Sequence, residues 1–200
     1  SDYSPNAGWA DYYGNEDFFK AYPNDDRKEW NYMTEWKIKS GEIIPYTESA
    51  DKLPAISKYY DYDEGAPGKS AQSNGITCIY RYAEVLLMYA EASTRATNSV
   101  NQDALNAIQE VQKRAGYQNR QIELTTSPEP AAFLTAVSNE RGWEFFAEMK
   151  RWFELVRLEK VKEVRAEEWD ASTFNTNHHY YFPVPYQQVD LAGWTNNAGY

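Results

Sequence analysis

The chain has very little cysteine and histidine. Its one cysteine, Cys78, has no partner for a disulfide within the chain, and its neighbours Ile76 and Ile79 predict a buried structural thiol. Its only two histidines, His178 and His179, are adjacent in a loop-like segment and lack the ligand spacing of zinc or di-iron sites. We therefore expect no metal site, and because phosphate-loop and nucleophile-elbow motifs are also missing, no cofactor.

Long apolar runs and positive charge are missing as well. No stretch of about 18 apolar residues, the length needed to cross a bilayer, is present. The formal net charge of −10, with no cluster of Lys and Arg, excludes nucleic acid as the main partner. The first residues lack the basic and apolar regions of a signal peptide, so we expect the chain to begin inside a longer protein.

Aromatic residues are abundant. They make up 16% of a chain whose mean hydropathy is −0.79, so they carry much of its apolar character. Residues 1–75 are rich in glycine, proline and aromatics, 76–160 show helical periodicity, and 161–200 return to loop-like composition. The sequence predicts one mainly α domain with helical hairpins, long aromatic-rich loops and little β structure. Within the first part, 16–21 favours a helical turn and 30–39 a short strand.

Three helices are predicted in the central region. The first runs from about Ile79 to Arg95 and the second from a cap at Asn101 to a stop at Gly116, and together they form a hairpin. A third, longer helix starts near Ser127 and continues to about residue 160. Their predicted apolar faces include Tyr82, Leu86 and Tyr89, then Leu105, Ile108, Val111 and Ala115, then Phe133, Val137, Phe145, Trp152 and Leu155.

Charged residues form a stripe on the third predicted helix. Glu140, Glu144 and Glu148 are four residues apart, which places them on one face. We interpret them as partners in a network that fixes how the helices cross, rather than as catalytic acids, because nothing in the sequence singles out one carboxylate pair. The other members of this predicted structural network are Arg81, Glu84, Arg141 and Arg151.

Several blocks together resemble the SusD/RagB family of surface lipoproteins. The string RYAEVLLMYAEA at 81–92 resembles that family's signature helix, and it is followed in the expected order by similar blocks at 104–116, 139–155, 180–185 and 196–200. Residues 24–27 resemble the family's Asp-x-Arg turn. Two positions depart from the pattern: Met149 stands where glycine is usual and Glu154 where aspartate is usual.

The resemblance implies the C-terminal part of a SusD-like fold. It further implies a non-catalytic glycan-binding protein on the outward face of the outer membrane, which delivers oligosaccharide to a SusC-like TonB-dependent transporter. The lipid anchor would then lie outside this chain, so Cys78 would not be the lipidated residue. The alternative is a helical scaffold segment that docks on the transporter, with peptides or other nutrients as ligands.

Candidate ligand-binding residues are the aromatics of the loop-rich part. Sugar C–H faces stack on aromatic rings while their hydroxyl groups pair with amide and carboxylate side chains. Trp36 is an equally good core candidate because it lies on an alternating segment. The full candidate set is Trp9, Tyr12, Tyr13, Asn15, Trp36, Tyr60 and Tyr62. Tyr82, Tyr89 and Trp152 are predicted to be packing residues.

Overall fold

The computed structural model describes residues 13–38, 40–59, 76–116, 128–164 and 175–200. The chain divides into two compact units, Ser1–Met149 and Lys150–Tyr200. Helices dominate and strands are few and short, so the predicted mainly α fold is confirmed. None of the described helices combines the length and the apolar character that a membrane span requires.

Residues 13–38 and 40–59 of the first unit form two short α-helices and four short strands. Each helix starts at a side-chain cap: Asn15 Oδ1 accepts from the Phe18 amide at 2.9 Å, and Asp25 Oδ1 accepts from the Arg27 amide at 3.0 Å. Strands β1 and β4 pair antiparallel, as do β2 and β3. The bounds are α1 Glu16–Ala21, α2 Asp26–Asn31, β1 Tyr32–Met33, β2 Glu35–Lys37, β3 Ile43–Pro45 and β4 Ala55–Ile56.

The longer helices of the part that the structure describes are α3 Tyr82–Thr97, α4 Gln102–Arg114 and α5 Pro130–Glu144. Asn101 caps α4, as predicted, by accepting from the Ala104 amide at 2.8 Å. Beyond α4, Gly116 has φ of +77°, a left-handed conformation that suits glycine and ends the helix. Helices α3 and α4 pack side by side as the predicted hairpin, and α5 packs on both.

The core of the first unit lies where these three helices meet. Small residues on the facing sides of α3 and α4 let the two helices approach closely, and large side chains from α4 and α5 fill the remaining space. Each fully buried Leu, Ile or Phe contributes about 1.5–3 kcal/mol by leaving water. The core residues are Leu87, Ala90, Ala104, Ala107, Ile108, Val111, Phe133, Val137 and Phe145.

The buried face of α3 differs from the predicted one. Leu87, Ala90 and Thr94 face the core, whereas Tyr82 and Tyr89, predicted as packing residues, are 66% and 45% exposed. The prediction was wrong because α3 carries apolar residues on two sides, and periodicity alone does not tell which side meets α4. Cys78 is also exposed rather than buried.

The third predicted helix is interrupted. Helix α5 ends at Glu144, and a turn over residues 145–149 precedes the next helix, so one helix to about residue 160 was wrong. Ala147 and Met149 have φ of 60° and 59° in this turn. Such left-handed φ values favour glycine, which is the residue that the SusD/RagB pattern has at position 149.

The described residues of the second unit, 150–164 and 175–200, form four short helices. They are α6 Arg151–Arg157, α7 Val161–Val164, α8 Thr176–His179 and α9 Tyr186–Ala192. The His178 ring stacks on Tyr200 with 4.2 Å between ring centroids, and the Tyr200 hydroxyl donates to the His178 carbonyl at 3.1 Å. These contacts hold the last described residues against α8.

Many aromatics of the loop-rich part lie in a second cluster of buried side chains rather than on the surface. Tyr22 and Tyr32 are each 3% exposed and make an edge-to-face contact with 5.6 Å between centroids. The Tyr22 hydroxyl donates to the Trp143 carbonyl at 2.6 Å and accepts from Asn31 at 2.7 Å. Burial raises the pKa values of both tyrosines, so they stay neutral in the cluster. The cluster joins α1 and α2 to the end of α5.

We predict that Gly14→Ala destabilises the first unit. A Cβ at Gly14 would lie 2.4 Å from a ring carbon of Tyr32 and 3.2 Å from the Pro54 carbonyl oxygen. Overpacking of this kind costs about 1–3 kcal/mol. Urea denaturation measures the loss, and the double variant Gly14→Ala/Tyr32→Leu should lose less than the sum of the two single changes. Additive losses would show that the Tyr32 ring is not the obstacle.

Candidate functional site

A buried carboxylate at the end of α5 binds arginines from three parts of the first unit. The Glu144 side chain is 2% exposed. Its Oε1 accepts hydrogen bonds from Arg81 Nη1, at 2.7 Å, and from Arg114. Its Oε2 accepts a hydrogen bond from Arg27 Nη1 at 2.9 Å. Arg27 belongs to α2, Arg81 precedes α3 and Arg114 ends α4. One side chain therefore links α5 to the α3–α4 hairpin and to the segment before it.

Arg27 is the buried arginine of this cluster. It lies on α2, and its Nη1 donates to Glu140 Oε1 at 2.7 Å as well as to Glu144, while its Nη2 meets Asp25 Oδ2 at 2.5 Å. Gln112 of α4 donates to the second oxygen of Glu140 at 3.2 Å. Burial would lower the pKa of Arg27, but Asp25 and Glu140 outweigh it, so the pKa rises and the guanidinium stays charged.

Glu148 binds two cations from distant segments. Its Oε1 accepts from Lys58 Nζ at 2.6 Å and from Arg81 Nη2 at 2.9 Å, and its Oε2 accepts from Arg81 Nε at 3.0 Å. The same two side chains also donate to the main-chain carbonyl of Glu144, at 3.1 Å from Lys58 and 2.8 Å from Arg81. That carbonyl is available because α5 ends at Glu144 and does not continue to residue 148.

The electrostatics of this cluster follow from burial and pairing. Burial alone would raise the pKa of Glu148, but the hydrogen bonds from Arg81 and Lys58 outweigh it and hold the pKa below its ordinary value. Burial lowers the pKa of Lys58, and its contact with Glu148 opposes that shift only in part. Among the described residues, the cations Arg27, Lys58, Arg81 and Arg114 face the anions Asp25, Glu140, Glu144 and Glu148.

The predicted structural network lies partly in this cluster. Arg81, Glu140, Glu144 and Glu148 are brought together around Arg27 and Lys58, which were not predicted as members. Arg141 and Glu84 lie beside the cluster, with 3.9 Å between Arg141 Nη2 and Glu84 Oε1. The guanidinium groups of Arg81 and Arg141 also lie near the Phe145 ring, at 4.8 Å and 5.3 Å from its centre. Arg151 belongs to the second unit and pairs with Glu154 of α6 at 3.2 Å.

The candidate ligand-binding residues are in different environments. Trp36 is 6% exposed on β2, so it is a core residue rather than a stacking surface. Tyr13 is half-buried and its hydroxyl donates to Asp51 at 2.7 Å, whereas Asn15 is the exposed N-cap of α1. Trp9, Tyr12, Tyr60 and Tyr62 lie outside the described residues.

Sequence reasoning missed four charged members of the cluster, Asp25, Arg27, Lys58 and Arg114. A signal existed for three: the Asp-x-Arg turn contains Asp25 and Arg27, and the Arg-Ala-Gly stop of α4 contains Arg114. Lys58 had no signal, since a single lysine among loop residues is typical of a protein surface. Within the described ranges, no group of three His, Cys, Asp or Glu side chains is placed to hold a metal ion.

These features define a mainly helical protein whose helices are joined through buried ion pairs. Comparison with known proteins gives the family. The model of the SusD family matches residues 2–200, and the chain belongs to that family. The predicted SusD/RagB membership is thereby confirmed.

Two curated relatives are SusD-like proteins of Formosa agariphila. One is 28% identical over 199 residues, which cover 90% of this chain and 39% of that protein. The other is 27% identical over 144 residues, which cover 70% of this chain and 26% of that protein. The chain thus spans well under half the length of these curated relatives.

Two solved structures have the same fold. A SusD homolog from Bacteroides thetaiotaomicron superposes with a TM-score of 0.70 at 21% identity, covering 88% of this chain and 41% of that one. A SusD superfamily protein from Parabacteroides distasonis superposes with a TM-score of 0.71 at 25% identity, covering 94% of this chain and 42% of that one.

We predict that Glu144→Gln is strongly destabilising. The change leaves three arginines facing a neutral amide in a buried site, and breaking a buried ion pair costs about 3–5 kcal/mol. Glu110→Gln, an exposed change on α4, is the control and should stay within about 0.5 kcal/mol of the parent. Urea denaturation measures both. Equal stability of the two variants would contradict a central role for Glu144.

We predict that Glu148 makes the stability of the fold sensitive to acid. The pKa of Glu148 is depressed in the folded state, so its contribution to the free energy of unfolding is complete above the ordinary carboxyl pKa of ~4.3. This contribution is lost as pH falls through the lower pKa of the folded state. Over this window the parent should lose unfolding free energy more steeply than Glu148→Gln, which has no carboxyl to protonate at this position. Denaturation curves from about pH 6 to about pH 3 test this. Parallel pH profiles would exclude Glu148 as a source of acid sensitivity.

Proposed function

We propose that the protein containing this chain binds oligosaccharides at the cell surface and delivers them to a SusC-like TonB-dependent transporter of the outer membrane. The observation that carries this proposal is the match of the SusD family model to nearly the whole chain. The proposal places the protein on the outward face of the membrane, attached by a lipid anchor. The chain itself would contribute a helical scaffold and part of the ligand-binding surface.

The acidic side chains at the end of α5 favour binding over catalysis. A general acid of a glycoside hydrolase needs a carboxyl group whose pKa is raised so that it holds a proton near neutral pH. The pKa of Glu148 is instead lowered, and Glu144 is surrounded by three arginines. Glu148 therefore lacks the raised pKa of a general acid, and the contacts of Glu144 serve to hold segments together.

A second candidate function is supported by the exposed side of α3. Tyr82, Val85, Met88 and Tyr89 are between 45% and 66% exposed and lie on one side of the helix. Large exposed apolar surfaces of this kind are typical of interaction sites. In this alternative the chain is mainly a scaffold that docks on the transporter, and its ligands are peptides or other nutrients.

Affinity electrophoresis of the 200-residue chain in gels containing neutral polysaccharides tests the first proposal. We expect at least one polysaccharide to retard the chain. Trp9→Ala and Tyr12→Ala should weaken retardation because each removes an aromatic ring on which a sugar can stack. Trp36→Phe is the control, since Trp36 is a buried residue of β2 and should not contact ligand.

The outcomes separate the candidate functions. No retardation by any polysaccharide would contradict glycan binding by this chain and favour the docking alternative. Release of reducing sugar that disappears when one carboxylate is changed would contradict the non-catalytic proposal.

A further inference from the structure

Helix α3 has apolar side chains on the side that faces away from the core. They are spaced three or four residues apart, which places them on one side of the helix, opposite to Leu87 and Ala90 of the core. The four larger ones are between 45% and 66% exposed. We call this set the apolar face, and its members are Tyr82, Val85, Met88, Tyr89 and Ala92.

The apolar face has no exposed charge beside it over the first three turns of α3. Residues 82–92 are all described, and their only charged side chains, Glu84 and Glu91, are buried. The exposed side of α4 is different, because it presents polar residues such as Asn106 and Glu110 to water. A helix that is apolar on opposite sides is typical of a protein interior, where it has neighbours on both. The neighbours of α3 that the structure describes, α4 and α5, pack on its core side.

The area of the apolar face limits what can cover it. A fully buried aromatic side chain removes about 150–250 Å² from water, and the side chains of this face are already partly covered. A stable complex between separate proteins buries about 800 Å² on each partner, of which this face supplies about half. The apolar face is therefore too small to hold a separate protein, or a second copy of the chain, by itself.

A segment of the same polypeptide needs less area. Its tether gives it a high effective concentration, and its binding does not cost the translational freedom of a separate molecule. The chain spans well under half the length of its curated relatives, so proteins of this family have most of their residues outside the matching region. Length and area together favour a tethered occupant.

We propose that the apolar face is the contact surface for a helix from the part of the same protein that lies outside this chain. The contacting side of that helix is uncharged and apolar, with a hydrogen-bond acceptor near the hydroxyl of Tyr82 or Tyr89, since a covered phenol keeps a partner. The inference goes beyond the proposed function and does not depend on the nature of the ligand. It also removes from the docking alternative the surface that supports it.

Oxidation of Met88 by hydrogen peroxide, followed by mass spectrometry, reports whether the apolar face is covered, because oxidation depends on exposure. In the 200-residue chain, Met88 should oxidise at a rate within a few fold of that of Met149, which is 89% exposed. In the complete protein expressed from its gene, Met88 should oxidise severalfold more slowly. Acetylation of Lys113, on the exposed side of α4, is the control and should proceed at the same rate in both proteins.

A charged substitution tests the same face independently. Lysine and methionine have similar helix propensities, so Met88→Lys should leave the melting temperature of the 200-residue chain unchanged, because the side chain meets water there. In the complete protein the change places an ammonium group against an apolar helix, so it should lower the melting temperature by several degrees. Asn106→Lys, on the exposed side of α4, is the matched control and should be tolerated in both proteins.

The outcomes separate the possible occupants. Fast oxidation of Met88 in the complete protein would overturn the proposal, and so would tolerance of Met88→Lys there. Slow oxidation in the dilute 200-residue chain would place the cover within that chain, and protection that grows with concentration would indicate a second copy. Protection of the complete protein only when the transporter is present would return the face to the docking alternative.

A gene that encodes only these 200 residues would also exclude the proposed occupant. None of these measurements involves a polysaccharide. The contact surface on α3 and the proposed glycan binding can therefore each fail while the other holds.

Discussion

The fold of the first unit depends on the burial of the Glu144 carboxylate. A carboxylate removed from water is unfavourable unless cations and hydrogen bonds replace the solvent, and Glu144 obtains them from Arg27, Arg81 and Arg114. These arginines come from three parts of the chain, so the carboxylate is satisfied only when α2, the start of α3 and the end of α4 are all in place. The apolar core holds α3, α4 and α5 together, while the ionic cluster specifies where the segments around that core attach.

Local features of the fold could be predicted from the sequence, and long-range ones could not. The cap at Asn101 and the apolar stripe of α4 depend on neighbouring residues, and both are present. The buried side of α3 depends on which of two apolar faces meets α4, and the break after Glu144 depends on cations that reach its carbonyl from Lys58 and Arg81. Neither the buried side of α3 nor the end of α5 is therefore determined by the sequence of that helix alone.

The candidate site divides in the same way. The spacing of Glu140, Glu144 and Glu148 indicated one charged stripe, but the spacing could not show that Lys58 would reach it. Aromatic content predicted stacking surfaces and buried rings equally well, and the structure assigns Trp36 and Tyr32 to buried positions.

The turn over residues 145–149 limits how this protein can change over evolutionary time. Substitutions that favour helix are tolerated in most helical proteins and often improve them. Here a continuous helix would have the carbonyl of Glu144 accept from the residue 148 amide and compete with Lys58 and Arg81 for that oxygen. A more helical sequence would therefore exchange one local hydrogen bond for the loss of an attachment point shared by two distant segments. The turn already contains good helix formers in Ala147, Glu148 and Met149, so selection should act instead on Lys58 and Arg81, whose contacts with the Glu144 carbonyl keep the helix from continuing.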